Sequence, residues 1–234
     1  HFVTTNAAGV RDYVSGDSFN RIHWASSARK DRLIVKEFDI DPLVDIWLFV
    51  DFSASSVVEE PGLQRIGRMG TIVPTSQDIP PSTEEYAVVI AASLANYFIG
   101  SERALGFAAY TPYREVYQPE HGQRQMNRIL QTLAVARSFS KYSLGQMLTL
   151  ETPYFTRGTT LMIITSSLDP TWATEAQILS RRGIRPMCIL IDPYSFRGPA
   201  TADDITGLLR LAKIPTLTIR KNDDIGAALA QRPI

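Results

Sequence analysis

From residue 45 onward, short apolar runs alternate with segments of helical period. Ile46-Trp47-Leu48-Phe49-Val50 is apolar without interruption, the pattern of a strand covered on both faces. The first strand is therefore predicted over 45–50, and others over 104–109, 160–165, 185–191 and 216–220. A strand over 113–118 is predicted to pair antiparallel with its predecessor through Thr111-Pro112. Ser82-Thr83-Glu84-Glu85 is a helix start, with a hydroxyl cap and an acidic first turn, and the helix should run to Gly100. Further helices are predicted over 123–136, 144–152, 172–182, 203–212 and 223–230. In the first of these, Met126, Ile129, Leu130 and Leu133 share one face. Gly183 ends the 172–182 helix.

Strands that alternate with helices predict an α/β fold, a doubly wound and mostly parallel sheet of Rossmann-like type. Before it lies a short, extended N-terminal segment, in which 33–38 alternates enough for a strand. Pro42 separates the two, which gives an expected division into 1–41, packing on the main domain, and a main domain over 42–234. The connection over 57–82 is long for a strand-to-helix loop and is expected to be functional or mobile.

Composition narrows the function. With 24 basic and 24 acidic residues the net charge is zero, so a general polyanion-binding role has no support and no nucleic-acid partner is expected. The single cysteine, Cys188, lies inside Met187-Cys188-Ile189-Leu190-Ile191 and reads as a buried strand thiol. No apolar run reaches the ~18 residues that a membrane span needs. The chain opens at His1 without methionine, so an excised soluble part of a longer protein is expected.

The candidate chemistry sits at the end of the first strand. Asp51-Phe52-Ser53-Ala54-Ser55 places a carboxylate and two hydroxyls at alternate positions, where open α/β sheets hold ligands. Hard oxygen donors at this spacing suit a Mg²⁺-type ion, provided that further carboxylates complete an octahedral set.

An apolar strand followed by Asp-x-Ser-x-Ser, then alternating α/β, resembles the von Willebrand factor A fold and its metal-ion-dependent adhesion site. The N-terminal segment is more specific. Gly9-Val10-Arg11-Asp12-Tyr13-Val14-Ser15-Gly16-Asp17, then Asn20-Arg21-Ile22-His23-Trp24, Ser27-Ala28-Arg29 and Leu33-Ile34-Val35-Lys36-Glu37-Phe38, resembles the signature of the bacterial domain-of-unknown-function 58 family. That resemblance implies a non-enzymatic interaction or assembly domain beside a MoxR-type AAA+ ATPase. It also implies a cytoplasmic, soluble part of a membrane-anchored protein, touching membrane only through segments absent from this chain.

The same resemblance implies a metal set of Asp51, Ser53 and Ser55, completed by a threonine and an aspartate from later loops. Tyr142 stands in the threonine place, which leaves Ser140 or Ser143 as substitutes, and Ser143 enters the candidate set. Ser167 stands in the aspartate place, and Asp169 follows two residues later as the candidate. The implied site is degenerate, holding Mg²⁺ or Mn²⁺ weakly or not at all.

A second candidate is the polar and aromatic cluster of Asp17, Arg21, His23 and Trp24, read as a partner-binding corner or as a structural clamp with a forked Asp17–Arg21 pair. A rival enzymatic reading makes Asp51 the nucleophile of a metal-dependent hydrolase or phosphotransferase. Ser53, in place of a second aspartate, counts against it. Gly-x-Ser-x-Gly and Gly-x-Gly-x-x-Gly patterns are absent.

Overall fold

The computed structural model describes residues 9–14, 22–37, 45–59, 80–111 and 113–230. The chain divides into two compact units, His1–Val44 and Asp45–Ile234. The 60–79 part of the long connection lies outside the described residues.

In the first unit, strand β1 (Gly9–Asp12) pairs antiparallel with β2 (Ile34–Glu37), and helix α1 (Trp24–Lys30) lies between them in sequence. The strand expected at 33–38 is present, and the helix was not anticipated. Its sequence, WASSARK, has no apolar period to announce it. His23 starts α1 by accepting the Ser26 N–H on Nδ1 at 3.2 Å, although imidazole is not a usual cap. The start of β2 is tied to this helix, because the Ile34 N–H donates to Ser27 Oγ at 2.9 Å.

The second unit carries the predicted alternation. Its elements are β3 (Ile46–Val50), α2 (Thr83–Gly100), β4 (Leu105–Tyr110), β5 (Arg114–Glu120), α3 (Gln123–Val135), α4 (Leu144–Glu151), β6 (Thr160–Thr165), α5 (Thr171–Arg181), β7 (Arg185–Ile191), α6 (Asp203–Leu211), β8 (Thr216–Ile219) and α7 (Ile225–Ala230). The six strands lie in the order β5-β4-β3-β6-β7-β8 and are parallel except for β5, which returns antiparallel beside β4.

The period of two along β3 divides the core. Ile46, Leu48 and Val50 face one cluster with Ile90, Leu94, Ile129 and Ile225, which places α2, α3 and α7 on that side. Trp47 and Phe49 face the other with Leu148, Trp172, Leu179 and Leu209, which places α4, α5 and α6 opposite. All five β3 residues are buried, the state that their unbroken apolar run required. Each fully buried side chain of leucine or phenylalanine size contributes about 1.5–3 kcal/mol. Glycine is needed at 106, since a Cβ there would meet the Trp47 ring at 2.6 Å. On α3, Met126, Ile129 and Leu133 are buried as expected, while Leu130 is turned part-way to solvent.

These connections create a crevice. From β3 the chain leaves through α2 on one face, and from the adjacent β6 it leaves through α5 on the other. Neighbouring strands whose exits diverge leave a gap at their carboxyl ends, where open α/β sheets hold ligands. Asp51 and Thr165 mark that gap.

Candidate functional site

Asp51 follows the last residue of β3 and is still hydrogen-bonded as sheet, its N–H donating to the Ile164 carbonyl at 2.9 Å. Its side chain is buried at 5 % exposure. Thr165 Oγ1 donates to Oδ2 at 2.7 Å, and the Ser53 N–H donates to Oδ1 at 2.9 Å. Both carboxylate oxygens are therefore engaged inside the protein. Burial raises the Asp51 pKa above the ordinary carboxylate value, and the hydrogen bonds from Thr165 and Ser53 offset only part of that.

Around the carboxylate the hydroxyls form a closed net. Ser53 Oγ donates to Ser56 Oγ at 3.0 Å, Ser56 Oγ donates to the Ser53 carbonyl at 3.0 Å, and Ser166 Oγ donates to the Ser56 carbonyl at 2.7 Å. The Ser167 N–H completes it on Thr165 Oγ1 at 2.9 Å. The loop after α3 joins by backbone pairing, with Ser140 N–H on the Phe52 carbonyl and Ala54 N–H on the Ser140 carbonyl.

The five expected metal-site residues are not drawn together by these bonds. Asp51 and Ser53 lie in the net. Ser55 is exposed on the turn at 54–56, because the chain leaves its extended conformation there and the period of two breaks. Ser56 takes the inward position instead. Ser143 caps α4, accepting the Gln146 N–H at 3.4 Å while Gln146 Oε1 accepts the Ser143 N–H at 2.9 Å. Asp169 is exposed and spends its carboxylate on Thr171, accepting from that residue's N–H and hydroxyl at 3.0 and 2.8 Å. Of the two serines considered for the threonine role, it is Ser140 that borders the Asp51 loop.

The donor set in this arrangement does not fit a complete divalent shell. Asp51 is its one carboxylate, and no group of three or more acidic, histidine or cysteine side chains suited to a metal occurs among the described residues. Sequence reasoning missed Ser56, Thr165 and Ser166. The run Thr165-Ser166-Ser167 at the end of a strand was the available signal.

The second candidate cluster is only partly visible. Asp17 and Arg21 lie outside the described residues. His23 is engaged as the cap of α1, and Trp24, its first residue, is 67 % exposed. Cys188 is fully buried, and burial pushes its thiol well above the usual range, which leaves it inert.

A third feature stands beside the Asp51 loop. Glu151, at the end of α4, has no exposed surface. Arg114 at the start of β5 grips it with a forked pair, Nε to Oε1 and Nη2 to Oε2, each at 2.7 Å. Tyr110 at the end of β4 donates its hydroxyl to the same Oε1. Burial, then the hydrogen bond to Glu151, pushes the Tyr110 pKa up to about 12, and the bond to Glu151 raises that of Arg114.

Residues 9–65 match the family described as "Protein of unknown function DUF58". That segment is about a quarter of the chain, and it is the part in which the chain resembles the DUF58 family. Over 130 residues, 56% of its length, it is 24% identical to "Uncharacterized protein YeaD" of Bacillus subtilis (strain 168). The match spans 26% of that relative, about a quarter of it. Among solved structures, the conserved hypothetical protein BatB from Bacteroides thetaiotaomicron is similar at a TM-score of 0.52 and 14% identity, over 80% of this chain and 94% of that one. The pilus adhesin SpaC from Lactobacillus rhamnosus GG, in its open conformation, is similar at 0.53 and 12%, over 80% of this chain and 28% of that one. At such identities the likeness concerns the fold alone, and it agrees with the mostly parallel α/β sheet described above. No helix among the described residues is long and apolar enough to cross a membrane.

Proposed function

We propose that this chain is a non-enzymatic protein-interaction or assembly domain of von Willebrand factor A type, the soluble part of a membrane-anchored protein. Its binding face lies at the carboxyl ends of β3 and β6, and its partner is a MoxR-type AAA+ ATPase. The observation that carries the reading is the internal satisfaction of Asp51. A nucleophile or general base needs a carboxylate oxygen that reaches the substrate. Asp51 is 5 % exposed and both its oxygens are already bonded, to Thr165 and Ser53. The same network supports a degenerate adhesion site, in which Mg²⁺ or Mn²⁺ binds weakly or not at all.

The exposed turn at 54–56 presents Ser55 at this face without involving it in the buried net. Ser55→Arg is therefore expected to abolish capture of the MoxR-type ATPase from the same genome while leaving the fold intact. Undiminished capture by a correctly folded Ser55→Arg protein would contradict the assignment of this face. A second reading has the exposed Trp24 in its favour, since a tryptophan at 67 % exposure is an apt contact residue. Loss of capture in Trp24→Ala, with Ser55→Arg unaffected, would move the binding surface to the first unit.

A further inference from the structure

Aromatic side chains accumulate in one place on the second unit. A cleft of about 550 Å³ opens where the β4–β5 turn, the loop after α3 and the end of α4 meet. Its walls carry Tyr113, Phe139, Tyr142 and Tyr154, which are 78 %, 61 %, 50 % and 45 % exposed. Scattered exposed apolar residues are ordinary, but four large rings converging on one cleft mark a binding surface.

The walls are held in position before any ligand arrives. Tyr142 stands edge-on to the buried Tyr110 at 5.7 Å between centroids. The Arg114 guanidinium, fixed by its fork on Glu151, lies 5.4 Å from the centre of the Tyr154 ring. A prearranged site loses less conformational freedom on binding.

Polarity and charge select the occupant. The hydroxyls of Tyr113, Tyr142 and Tyr154 make no hydrogen bond among the described residues, so three phenols are free to donate. The one acid in the lining, Glu151, is fully buried and used by Arg114 and Tyr110. Lys141, exposed at the rim, has no ion pair among the described residues. The unpaired charge of the cleft is therefore positive, and it calls for a carboxylate. Exposed flat rings, three of them phenols, match a polyproline II strand. Proline rings stack on aromatic faces, and the carbonyls of that helix have no internal partners and accept from phenols.

We infer that this cleft binds a proline-rich, acidic peptide segment of a partner protein. The inference rests on reading the domain as a binding module, but neither on Asp51 nor on a metal ion. The test is fluorescence anisotropy with a fluorescein-labelled Pro-Pro-Glu repeat peptide, alongside Pro-Pro-Lys and Gly-Ser-Glu repeats and a cello-oligosaccharide competitor. Saturable binding of the Pro-Pro-Glu peptide is expected, at least about tenfold tighter than either control. Tyr113→Ala, at a position exposed enough to spare the fold, should abolish it. Lys141→Glu should weaken it about tenfold, and Leu211→Ala, 82 % exposed at the end of α6, should leave it unchanged.

Equal binding of the three peptides would overturn the inference. So would absence of binding, indifference to both cleft variants, or displacement by the oligosaccharide. If the peptide fails to bind while the ATPase is still captured through the Ser55 face, the inference falls and the functional reading stands. Peptide binding without that capture gives the reverse outcome.

Discussion

At the scale of single residues, the decisive question is what Asp51 does with its two oxygens. A carboxylate that waits for a cation leaves lone pairs turned outward. Here each oxygen accepts a hydrogen bond from within the protein, one from a threonine hydroxyl and one from a backbone N–H, with burial opposing the charge. The consequence for stability has a definite sign. Below the ordinary carboxylate value both folded and unfolded chains hold the proton, and the raised folded pKa costs nothing. As pH rises through that value and then through the raised one, the unfolded chain releases its proton first and the folded state loses stability. Asp51→Asn cannot ionise and retains an acceptor for the Ser53 N–H. Urea unfolding at about pH 3.5, below the ordinary carboxylate value, and at about pH 7 is expected to show a larger loss for wild type than for the asparagine variant. Equal losses would show that the carboxylate is not destabilised by its surroundings.

Ser55 and Ser56 show why the sequence revealed only part of this site. Counting by twos from Asp51 treats the chain as extended, and that count points Ser53 and Ser55 the same way. The chain turns at 54–56, so Ser56 falls inward and Ser55 outward. Thr165 and Ser166 come from a strand more than a hundred residues away, and only the parallel pairing of β3 with β6 makes them neighbours of Asp51. Local spacing carries no information about such a partner until the strand order is known.

At the scale of elements, the Glu151 cluster fastens α4 to the antiparallel hairpin of β4 and β5. The pair is asymmetric, with Arg114 46% exposed at its side chain and Glu151 0%. Removing the arginine leaves a carboxylate with no water and no cation, whereas neutralising the glutamate leaves a guanidinium that can turn to solvent. Arg114→Ala is therefore expected to cost about 3 kcal/mol, and Glu151→Gln roughly half as much. Denaturant midpoints of the two variants measure the difference, and the opposite order would contradict this account of the pair.

Elements with a strong apolar period were legible in the sequence. The strands β3, β6 and β7 and the helix α2 with its Ser82 cap fall where their patterns put them. The helix α1 was not legible, since seven residues without an apolar stripe, started by a histidine, give neither period nor a usual cap. Glu151 was hidden for a related reason. A lone acid at the end of a short helix looks solvent-facing until the hairpin supplies Arg114.

At the scale of the whole molecule, the order of the strands matters most. Placing β4 on one side of β3 and β6 on the other sends their connections to opposite faces, and the resulting crevice lies at Asp51. The DUF58 match falls on residues 9–65, so it takes in most of the first unit and ends beyond the Asp51 loop. The α/β alternation and the strand end that borders the crevice could be read from the chain, but the strand order and the closed hydroxyl net could not.

The account rests on the claim that Asp51 is satisfied within the protein and does not serve a tightly held metal. Isothermal titration calorimetry with Mg²⁺ and with Mn²⁺, on wild type and on Asp51→Ala, tests it most directly. Small, non-saturating heats that are the same for both proteins are the predicted result. A saturable single-site isotherm for wild type that vanishes in Asp51→Ala would contradict it.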